Sequence, residues 1–211
     1  QADFLRCAVR ERQNILIAGA TSSGKTTLAN ALLAEIAATG DRVLVLEDTV
    51  ELQCAARDHV PLRTRAGVVS MTELVRSSMR LRPDRVVVGE VRGAEALDLI
   101  KVWGTGHPGG IATIHAGSAL GALLRLEQLI LEVAVNPPRA LIAEAVNVVI
   151  HIAGRGRKRR IESIARVVGF DGVGYRLADA MDAPFPELPP LPDAAPAAAT
   201  SPSLDLSGEL P

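Results

Sequence analysis

Cysteine is scarce in this chain of 211 residues, which has only Cys7 and Cys54 and no CxxC pair. Two isolated cysteines exclude a disulfide-stapled scaffold and a cysteine-rich zinc site. They are typical of small buried side chains in a reducing compartment. Excess charge is lacking too, because the formal net charge is −1. Any contact with nucleic acid or an anionic membrane therefore needs a local basic patch.

Long apolar runs are also missing, since none reaches the roughly 18 residues that a membrane-spanning helix needs. The N-terminus does not show the basic and then apolar pattern of a secretory signal. We therefore expect a soluble, cytoplasmic protein. Apolar residues nevertheless make up 48% of the chain, enough to fill the core of one α/β domain.

The two ends of the chain differ from its body. Residues 181–211 contain most of the 13 prolines, with alanine and serine between them, and we predict a disordered tail there. The segment ADFLRCAVRER at the N-terminus has helical spacing and leads almost directly into an apolar strand. We expect residues 1–180 to form one domain whose beginning lies in the middle of something larger.

Four short apolar runs alternate with helical patterns along the body. Fully apolar runs of this length are typical of buried parallel strands. The last part changes character, because VNVVIHIA, a basic turn and RIESIARVVGF predict an antiparallel hairpin. The predicted fold is α/β, with a central, mostly parallel sheet flanked by helices and a C-terminal β-hairpin. The four runs are NILIAG (14–19), RVLVLED (42–48), RVVVGE (85–90) and GIATIHA (110–116).

The segment GATSSGKTT follows the first of these runs and matches GxxxxGK[ST]. A strand, a loop of small residues and a helix start let backbone N–H groups surround phosphates, as ATP binding requires. Lys25 would reach the β- and γ-phosphates, and the Thr26 hydroxyl would hold Mg²⁺. The candidate nucleotide-binding residues of this loop are Gly19, Ala20, Thr21, Ser22, Ser23, Gly24, Lys25, Thr26 and Thr27.

Acids follow two of the other runs, where parallel sheets place their ligand chemistry. Glu90 comes after VVV, and Glu47 and Asp48 come after VLVL with Glu51 close behind. We predict Glu90 as the group that activates water, with Glu47 as a second catalytic candidate. Both are also candidate magnesium ligands beside Thr26. Gly89 stands where many P-loop proteins have the metal-binding aspartate. If the metal is instead held by Thr26, phosphate oxygens and water, Glu90 remains available to activate the attacking water.

Histidines and a basic run remain. His107 and His115 lack the additional ligands that a zinc or iron site needs, whereas a strand would carry His115 to the edge that holds the P-loop. We predict His115 as a γ-phosphate sensor and His107 as a weaker nucleotide contact; either can instead be a structural histidine. The run GRGRKRR (154–160) is either a solvated turn or a contact for DNA or anionic lipid, although no aromatic residue accompanies it.

Together the ordered motifs resemble the VirB11 family of type II and type IV secretion ATPases, over roughly residues 1–175. The order of elements is similar to RecA-like NTPases. The resemblance implies a homohexameric ATPase on the cytoplasmic side of the inner membrane that works with membrane components of a conjugation or type IV secretion apparatus. It also implies an N-terminal domain, which we expect to be absent here. The family's Walker A box corresponds to Gly19–Thr26, its Asp box to Glu47–Glu51, its Walker B box to Val86–Glu90 and its His box to Gly106–His115.

An oligomeric ATPase needs an arginine that neutralises charge on the transferred phosphoryl group. Arginines near the motifs are Arg63, Arg65, Arg76, Arg80, Arg82 and Arg92, and we favour Arg63, Arg65 and Arg80. Two other functions stay open: an ATP-binding assembly module with little turnover, for want of the N-terminal domain, and a small-molecule P-loop kinase. The glutamate after VVVG and the intact GHPGGIATIHA segment favour the ATPase over the kinase.

Overall fold

The fold, taken from a computed structural model that describes residues 1–182, is one α/β sheet with helices on both faces. Every apolar run predicted as a strand forms one. The eight strands are β1 Ile15–Gly19, β2 Val43–Glu47, β3 His59–Arg63, β4 Arg85–Val91, β5 Ile111–Ile114, β6 Val148–Ala153, β7 Arg160–Phe170 and β8 Tyr175–Asp179.

The strands lie in the order β3-β2-β4-β5-β1-β6-β7-β8. The first six run parallel, and β7 and β8 add antiparallel pairs at one side. β1 therefore lies between β5 and β6, and β4 lies between β2 and β5. Since parallel strands end together, the segments after β1, β2, β4 and β5 meet at one edge of the sheet, here called the carboxyl edge. The opposite edge is called the amino edge.

Helices cover both faces of this sheet. α3, α4, α5 and α6 contribute to the core on one face, and α1 and α2 to the core on the other. β1 is buried on both faces, because Leu16 and Ala18 enter the first core while Ile15 and Ile17 enter the second. The helices are α1 Ala2–Arg10, α2 Lys25–Ile36, α3 Met71–Ser78, α4 Glu95–Gly104, α5 Ala119–Ile130 and α6 Arg139–Ala145.

Ser70 and Glu73 form the capping box that their spacing predicts. The Ser70 hydroxyl accepts from the Glu73 N–H at 3.2 Å, and the Glu73 carboxylate accepts from the Ser70 N–H at 2.7 Å. Hydrogen bonds from the Ser70 backbone and side chain lower the pKa of Glu73. The box fixes where α3 begins, directly after the loop that crosses the carboxyl edge.

Two strands, β3 and β8, were not predicted, and both lie at the sides of the sheet. β3 alternates between exposed and half-buried residues and contains Pro61, which an outer strand tolerates because one side of its backbone needs no partner. β8 is equally exposed. Neither has the apolar run that identified the buried strands. In addition, the predicted hairpin of β6 and β7 extends the main sheet, because β6 pairs with β1.

The predicted domain, residues 1–180, lies within the described part of the chain, whereas all but the first two residues of the predicted tail, 181–211, lie outside it. Within residues 1–182, no helix combines the length and the apolar character needed to cross a bilayer.

Candidate nucleotide-binding site

The GxxxxGK[ST] segment forms a tight loop between β1 and α2. Ser22 (φ 62°) and Gly24 (φ 102°) both take left-handed backbone conformations, Gly24 directly before the first residue of α2. For a non-glycine residue such as Ser22 this conformation costs about 1–2 kcal/mol. Alternating left-handed residues turn successive N–H groups toward one point, which makes a concave anion-binding surface. The strained backbone of Ser22 is therefore part of a surface that can bind phosphate.

Gly19 is required by close packing rather than by its backbone angle. A Cβ at this position would lie 2.4 Å from the Ser23 Oγ and 2.7 Å from the carbonyl oxygen of Ile152, at the end of β6. The Ser23 hydroxyl is buried and has no hydrogen-bond partner among the described residues. The loop thus folds back onto β1 and touches β6 at the same point.

Lys25 lies buried under the loop, with 8% of its surface exposed. Its ammonium donates to the carbonyl oxygens of Gly19 at 3.0 Å and Ala20 at 3.2 Å, and lies 3.4 Å from the His115 Nδ1. Burial lowers the pKa of Lys25, and the charges of Glu90 and Glu51 oppose this shift. The ammonium has neutral partners in the loop and no ion pair among residues 1–182. It can exchange these partners for phosphate oxygens.

Thr26 points toward the acids that follow β2. Its hydroxyl donates to the Glu51 Oε2 at 2.9 Å, and Asn30, one turn further along α2, donates to the Glu51 carbonyl oxygen at 3.2 Å. Glu51 therefore brings a carboxylate to the position where the motif places a metal. In the sequence, Glu51 stands out only as a neighbour of Glu47. Its spacing alone did not indicate this contact.

Glu90 and His115 meet at the ends of β4 and β5. The His115 Nε2 lies 2.8 Å from the Glu90 Oε1. The β4–β5 register shifts between Val88 and Val91, so that Gly89 and Glu90 form a bulge in β4. Bulges of this kind redirect a side chain. With Lys25 near Nδ1 and Glu90 at Nε2, the imidazole links the P-loop to the carboxylate that follows VVVG.

Glu47 lies on the other side of β4 and is buried. Its Oε1 accepts from the N–H groups of Glu51 at 3.0 Å and Leu52 at 2.8 Å. A Cβ at Gly89 would come within 3.2 Å of the Glu47 Cγ. Glu47 therefore occupies the space beside Gly89, where the sequence analysis noted a missing aspartate, and it also holds the loop that carries Glu51.

These groups surround a cavity of about 390 Å³ at the carboxyl edge. The structure thus brings Lys25, Thr26, Glu47, Glu90 and His115 together, as predicted from their placement after parallel strands. Sequence reasoning missed Thr113, whose hydroxyl donates to the Gly89 carbonyl oxygen at 2.6 Å. A polar residue inside an apolar run, two positions before His115, was the available signal. The cavity is lined by Thr21, Ser22, Lys25, Thr26, Glu47, Asp48, Thr49, Glu51, Leu52, Gly89, Glu90, Arg92, Thr113 and His115.

Of the predicted nucleotide contacts, the four outside the P-loop do not line this cavity, and neither do five residues of the loop itself, Gly19, Ala20, Ser23, Gly24 and Thr27. His107 precedes β5 and so lies at the amino edge, with its Nδ1 buried and without a partner among residues 1–182. Arg80 lies in the 3₁₀ turn that leads from α3 to the start of β4, also at the amino edge. Arg63 ends β3 opposite Glu47, and Arg65 lines a neighbouring cavity with Asp48 and Arg92. Strand β5 runs from the end near His107 to the carboxyl edge, and β4 runs there from the end near Arg80, so both residues lie a strand's length from the P-loop.

The residues present fit a nucleoside triphosphate. The loop offers a buried ammonium, left-handed turns beside a helix start and a cavity with polar walls. For Mg²⁺, Thr26 and Glu51 supply two oxygens, with Glu90 across the cavity. Among residues 1–182 no group of three His, Cys, Asp or Glu side chains has the spacing of a metal site. A bound cation would therefore share its ligands with phosphate oxygens and water.

Comparison with known proteins identifies the family. A family model described as type II/IV secretion system protein matches residues 1–161. The conjugal transfer protein TrbB of Rhizobium radiobacter is 49% identical over 178 residues, which cover 83% of this chain and 55% of that protein. The type IV secretion system protein PtlH of Bordetella pertussis is 40% identical over 178 residues, covering 77% of this chain and 52% of that protein.

Among solved structures, the VirB11 ATPase from the Brucella suis type IV secretion system, in complex with sulphate, has a TM-score of 0.71 and 35% identity. The match covers 78% of this chain and 53% of that one. The chain spans about half the length of the curated relatives it matches. The chain belongs to the type II/IV secretion system protein family, as its resemblance to the VirB11 family predicted.

Proposed function

We propose that this domain binds ATP with Mg²⁺ in the carboxyl-edge cavity and hydrolyses it to ADP and phosphate, as part of a type IV secretion or conjugative transfer motor. The observation that carries the proposal is the line of contacts from Lys25 through His115 to Glu90. It joins the phosphate-binding lysine to a carboxylate in a polar cavity. Relatives named as conjugal transfer and type IV secretion proteins supply the biological setting.

Lys25 and Thr26 bind the phosphates in this mechanism. The Lys25 ammonium leaves the carbonyl oxygens of Gly19 and Ala20 and donates to phosphate oxygens instead, which the cradle of N–H groups also binds. Thr26, whose hydroxyl donates to Glu51, would hold Mg²⁺ through its hydroxyl oxygen. The bound cation supplies charge neutralisation for the phosphoryl group.

Glu90 orients the attacking water and accepts its proton. Its side chain is about one-third exposed to the cavity, and the β4 bulge directs it there. Glu47 contributes indirectly: its carboxylate accepts hydrogen bonds from the loop that carries Glu51 and so positions that residue. His115 reports on the phosphate: when Lys25 moves to phosphate oxygens, the imidazole loses its Nδ1 neighbour and its contact with Glu90 changes.

The arginines suit a site shared between copies of the chain. Arg63 and Arg65 lie at the carboxyl edge but outside the cavity, where they can reach a neighbouring protomer's nucleotide. Arg80, at the other edge, is the weakest of the three. We propose a homohexamer on the cytoplasmic face of the inner membrane that works on membrane components of the apparatus. Such a motor powers pilus assembly or the transfer of a DNA or protein substrate, and that substrate is not a ligand of the cavity.

Replacement of Lys25 by alanine tests the proposal. Nucleotide affinity should fall by at least about a hundredfold, because the buried ammonium is the charge nearest the cradle and charged hydrogen bonds contribute about 1.5–3 kcal/mol each. Mg²⁺-dependent phosphate release should be lost with it. The two measurements are calorimetric titration with ATP and a phosphate-release assay, run beside size-exclusion chromatography.

The matched control is Lys101→Ala, which removes an exposed lysine from α4. Its nucleotide affinity and phosphate release should equal those of the parent chain. ATP affinity unchanged by Lys25→Ala would contradict the assigned binding site. Tight ATP binding with no phosphate release by the parent chain, in any oligomeric state, would favour the assembly module over the motor.

A further inference from the structure

The basic turn between β6 and β7 lies beside the P-loop. β6 pairs with β1 in parallel up to Gly19 and Ile152, so that the chain leaves β6 at the carboxyl edge. Residues 154–160 follow directly and are all exposed. The run GRGRKRR, which the proposed function does not use, is therefore a wall of the same edge that binds phosphate.

Arg159 is the residue of this turn that contacts the P-loop. A Cβ built at Gly24 would lie 3.4 Å from the Arg159 Cδ and 4.0 Å from its Nε. The arginine side chain therefore packs over the last glycine of the motif, next to the start of α2. The contact between the Ile152 carbonyl and Gly19 holds the other end of the loop against the same segment.

The backbone of the turn fixes the position of Arg159. Gly154 has a φ of 85°, and a Cβ there would lie 2.1 Å from the Lys158 carbonyl oxygen. The Lys158 N–H donates to the Arg155 carbonyl oxygen at 3.1 Å, closing a 3₁₀ turn over Gly156–Lys158. Only glycine allows this close approach, so this turn requires glycine at residue 154. Arg159 then leads into β7 with an extended backbone.

Charge in the turn is largely uncompensated. Arg160 pairs with Glu162 at 2.7 Å, but none of the other four cations has a carboxylate within ion-pair distance among residues 1–182. Unpaired cations next to an anion cradle attract polyphosphates and raise their local concentration. An arginine there can also donate two hydrogen bonds in a fixed fork.

The sheet order shows which end of a nucleotide faces the turn. Glu90 and His115, which face the terminal phosphate in the proposed function, lie on β4 and directly after β5, to one side of β1. The basic turn follows β6, on the other side of β1. A triphosphate that runs across the P-loop from β5 therefore leaves it toward Arg159.

We propose that Arg159 binds the nucleotide on the nucleoside side of the P-loop, by donating to oxygens of the α-phosphate or ribose. This inference rests on the proposed function and deepens it. It also gives the basic run a nucleotide as its ligand in place of DNA or lipid. The observation behind it is the packing of the Arg159 side chain on Gly24, in a turn whose cations other than Arg160 have no carboxylate partner among residues 1–182.

The test is calorimetric titration of the full chain with ADP and with ATP. Arg159→Gln should raise both dissociation constants by about tenfold, as expected for the loss of one charge-assisted hydrogen bond. The two nucleotides should lose equally, because they share the α-phosphate and ribose. Arg159→Lys should recover only part of the loss, since it keeps the charge without the fork.

Arg157→Gln is the matched control, because it removes one cation from the same turn. Its dissociation constants should stay within about threefold of the parent values, since an exposed charge acts only through screened attraction. Equal losses in the two glutamine variants would overturn a specific Arg159 contact. A loss for ATP alone would overturn its place on the nucleoside side. Thermal unfolding of both variants at the parent temperature shows that neither is misfolded.

The inference and the proposed function fail differently. A parent chain that binds neither nucleotide contradicts both. A parent chain that binds and loses ATP on Lys25→Ala, but keeps full affinity on Arg159→Gln, contradicts the inference alone. Salt-dependent binding of duplex DNA, lost in the Arg157 and Arg159 variants while nucleotide affinity is unchanged, would assign the turn to nucleic acid and overturn the proposal.

Discussion

Both edges of the sheet carry clusters of charged side chains, but those at the amino edge are paired with one another, whereas those at the carboxyl edge surround a cavity. At the amino edge, the Arg85 guanidinium is 1% exposed and donates to the Asp41 carboxylate at 2.5 Å and to the Gly109 carbonyl oxygen at 3.2 Å. Arg12 pairs with the same carboxylate, and Thr39 donates to it at 2.7 Å. The charges there satisfy one another inside the protein.

At the carboxyl edge the charges surround a cavity instead. Lys25 donates to carbonyl oxygens, and the Thr26 hydroxyl donates to Glu51. The Glu90 and His115 side chains are 35% and 45% exposed. A buried pair contributes to stability only while both partners remain. Groups with exchangeable partners contribute little to stability and remain available to a ligand. We infer that the amino edge stabilises the fold and that the carboxyl edge carries the chemistry.

The largest effect should come from Glu90→Gln at the carboxyl edge. Glutamine keeps the size of the side chain and one oxygen near His115 but cannot accept a proton from water. Turnover should fall by about a hundredfold to ten-thousandfold, the range for loss of a general base. The ATP dissociation constant should change by less than about threefold, because the phosphates are bound by other groups.

Phosphate release and calorimetric titration measure the two quantities on the same sample. Glu144→Gln, on the exposed face of α6, is the matched control and should leave both unchanged. If Glu90→Gln retained parental turnover, Glu90 would not be the base, and Glu47 would be the next residue to replace.

At the amino edge, Asp41→Asn should destabilise the fold by about 3 kcal/mol, because it leaves the buried Arg85 charge without its carboxylate. ATP affinity and turnover should both be unchanged, whereas the Glu90 variant loses turnover and keeps its stability. Chemical denaturation measures the free energy of unfolding. Asp58→Asn, which removes an exposed carboxylate paired with Arg42, is the control and should change it by less than about 0.5 kcal/mol.

The Asp41 variant also has a predicted pH dependence. Burial disfavours the charged carboxyl, but hydrogen bonds from Arg85 and Thr39 outweigh it, so that the pKa of Asp41 is lowered. A lowered pKa means that the carboxylate contributes stability above the unfolded pKa and loses it as the pH falls through the folded value. The stability difference between parent and variant should therefore be constant near neutral pH and shrink below about pH 4. A difference that grew on acidification would contradict the pairing.

Residues whose position depends on a local pattern were predictable. The strand ahead of Gly19 and the helix after it fix the P-loop, and apolar runs that end in acids place Glu47 and Glu90 at one edge. His115 follows from the same rule. In each case the direction of a buried parallel strand determines which end of the run faces the site.

Contacts between distant segments were not predictable. The bond from Thr26 to Glu51 depends on how the loop after β2 folds back over α2, and the packing of Arg159 on Gly24 depends on β6 lying next to β1. His107 shows the opposite error. It was predicted as a nucleotide contact but lies at the amino edge, because the seven residues between it and His115 include strand β5.

The smallest effect should come from His115→Ala, which removes a link between groups rather than a reacting group. Without the imidazole, Lys25 still reaches the phosphates, so ATP affinity should stay within about threefold of the parent value. Turnover should fall by about tenfold, because Glu90 loses its 2.8 Å partner and with it one fixed orientation. His59→Ala, which removes an imidazole at the amino end of β3, should change neither quantity. Parental turnover in the His115 variant would show that Glu90 is oriented by β4 alone, whereas a loss of ATP affinity equal to that of Lys25→Ala would make His115 a phosphate ligand rather than a link.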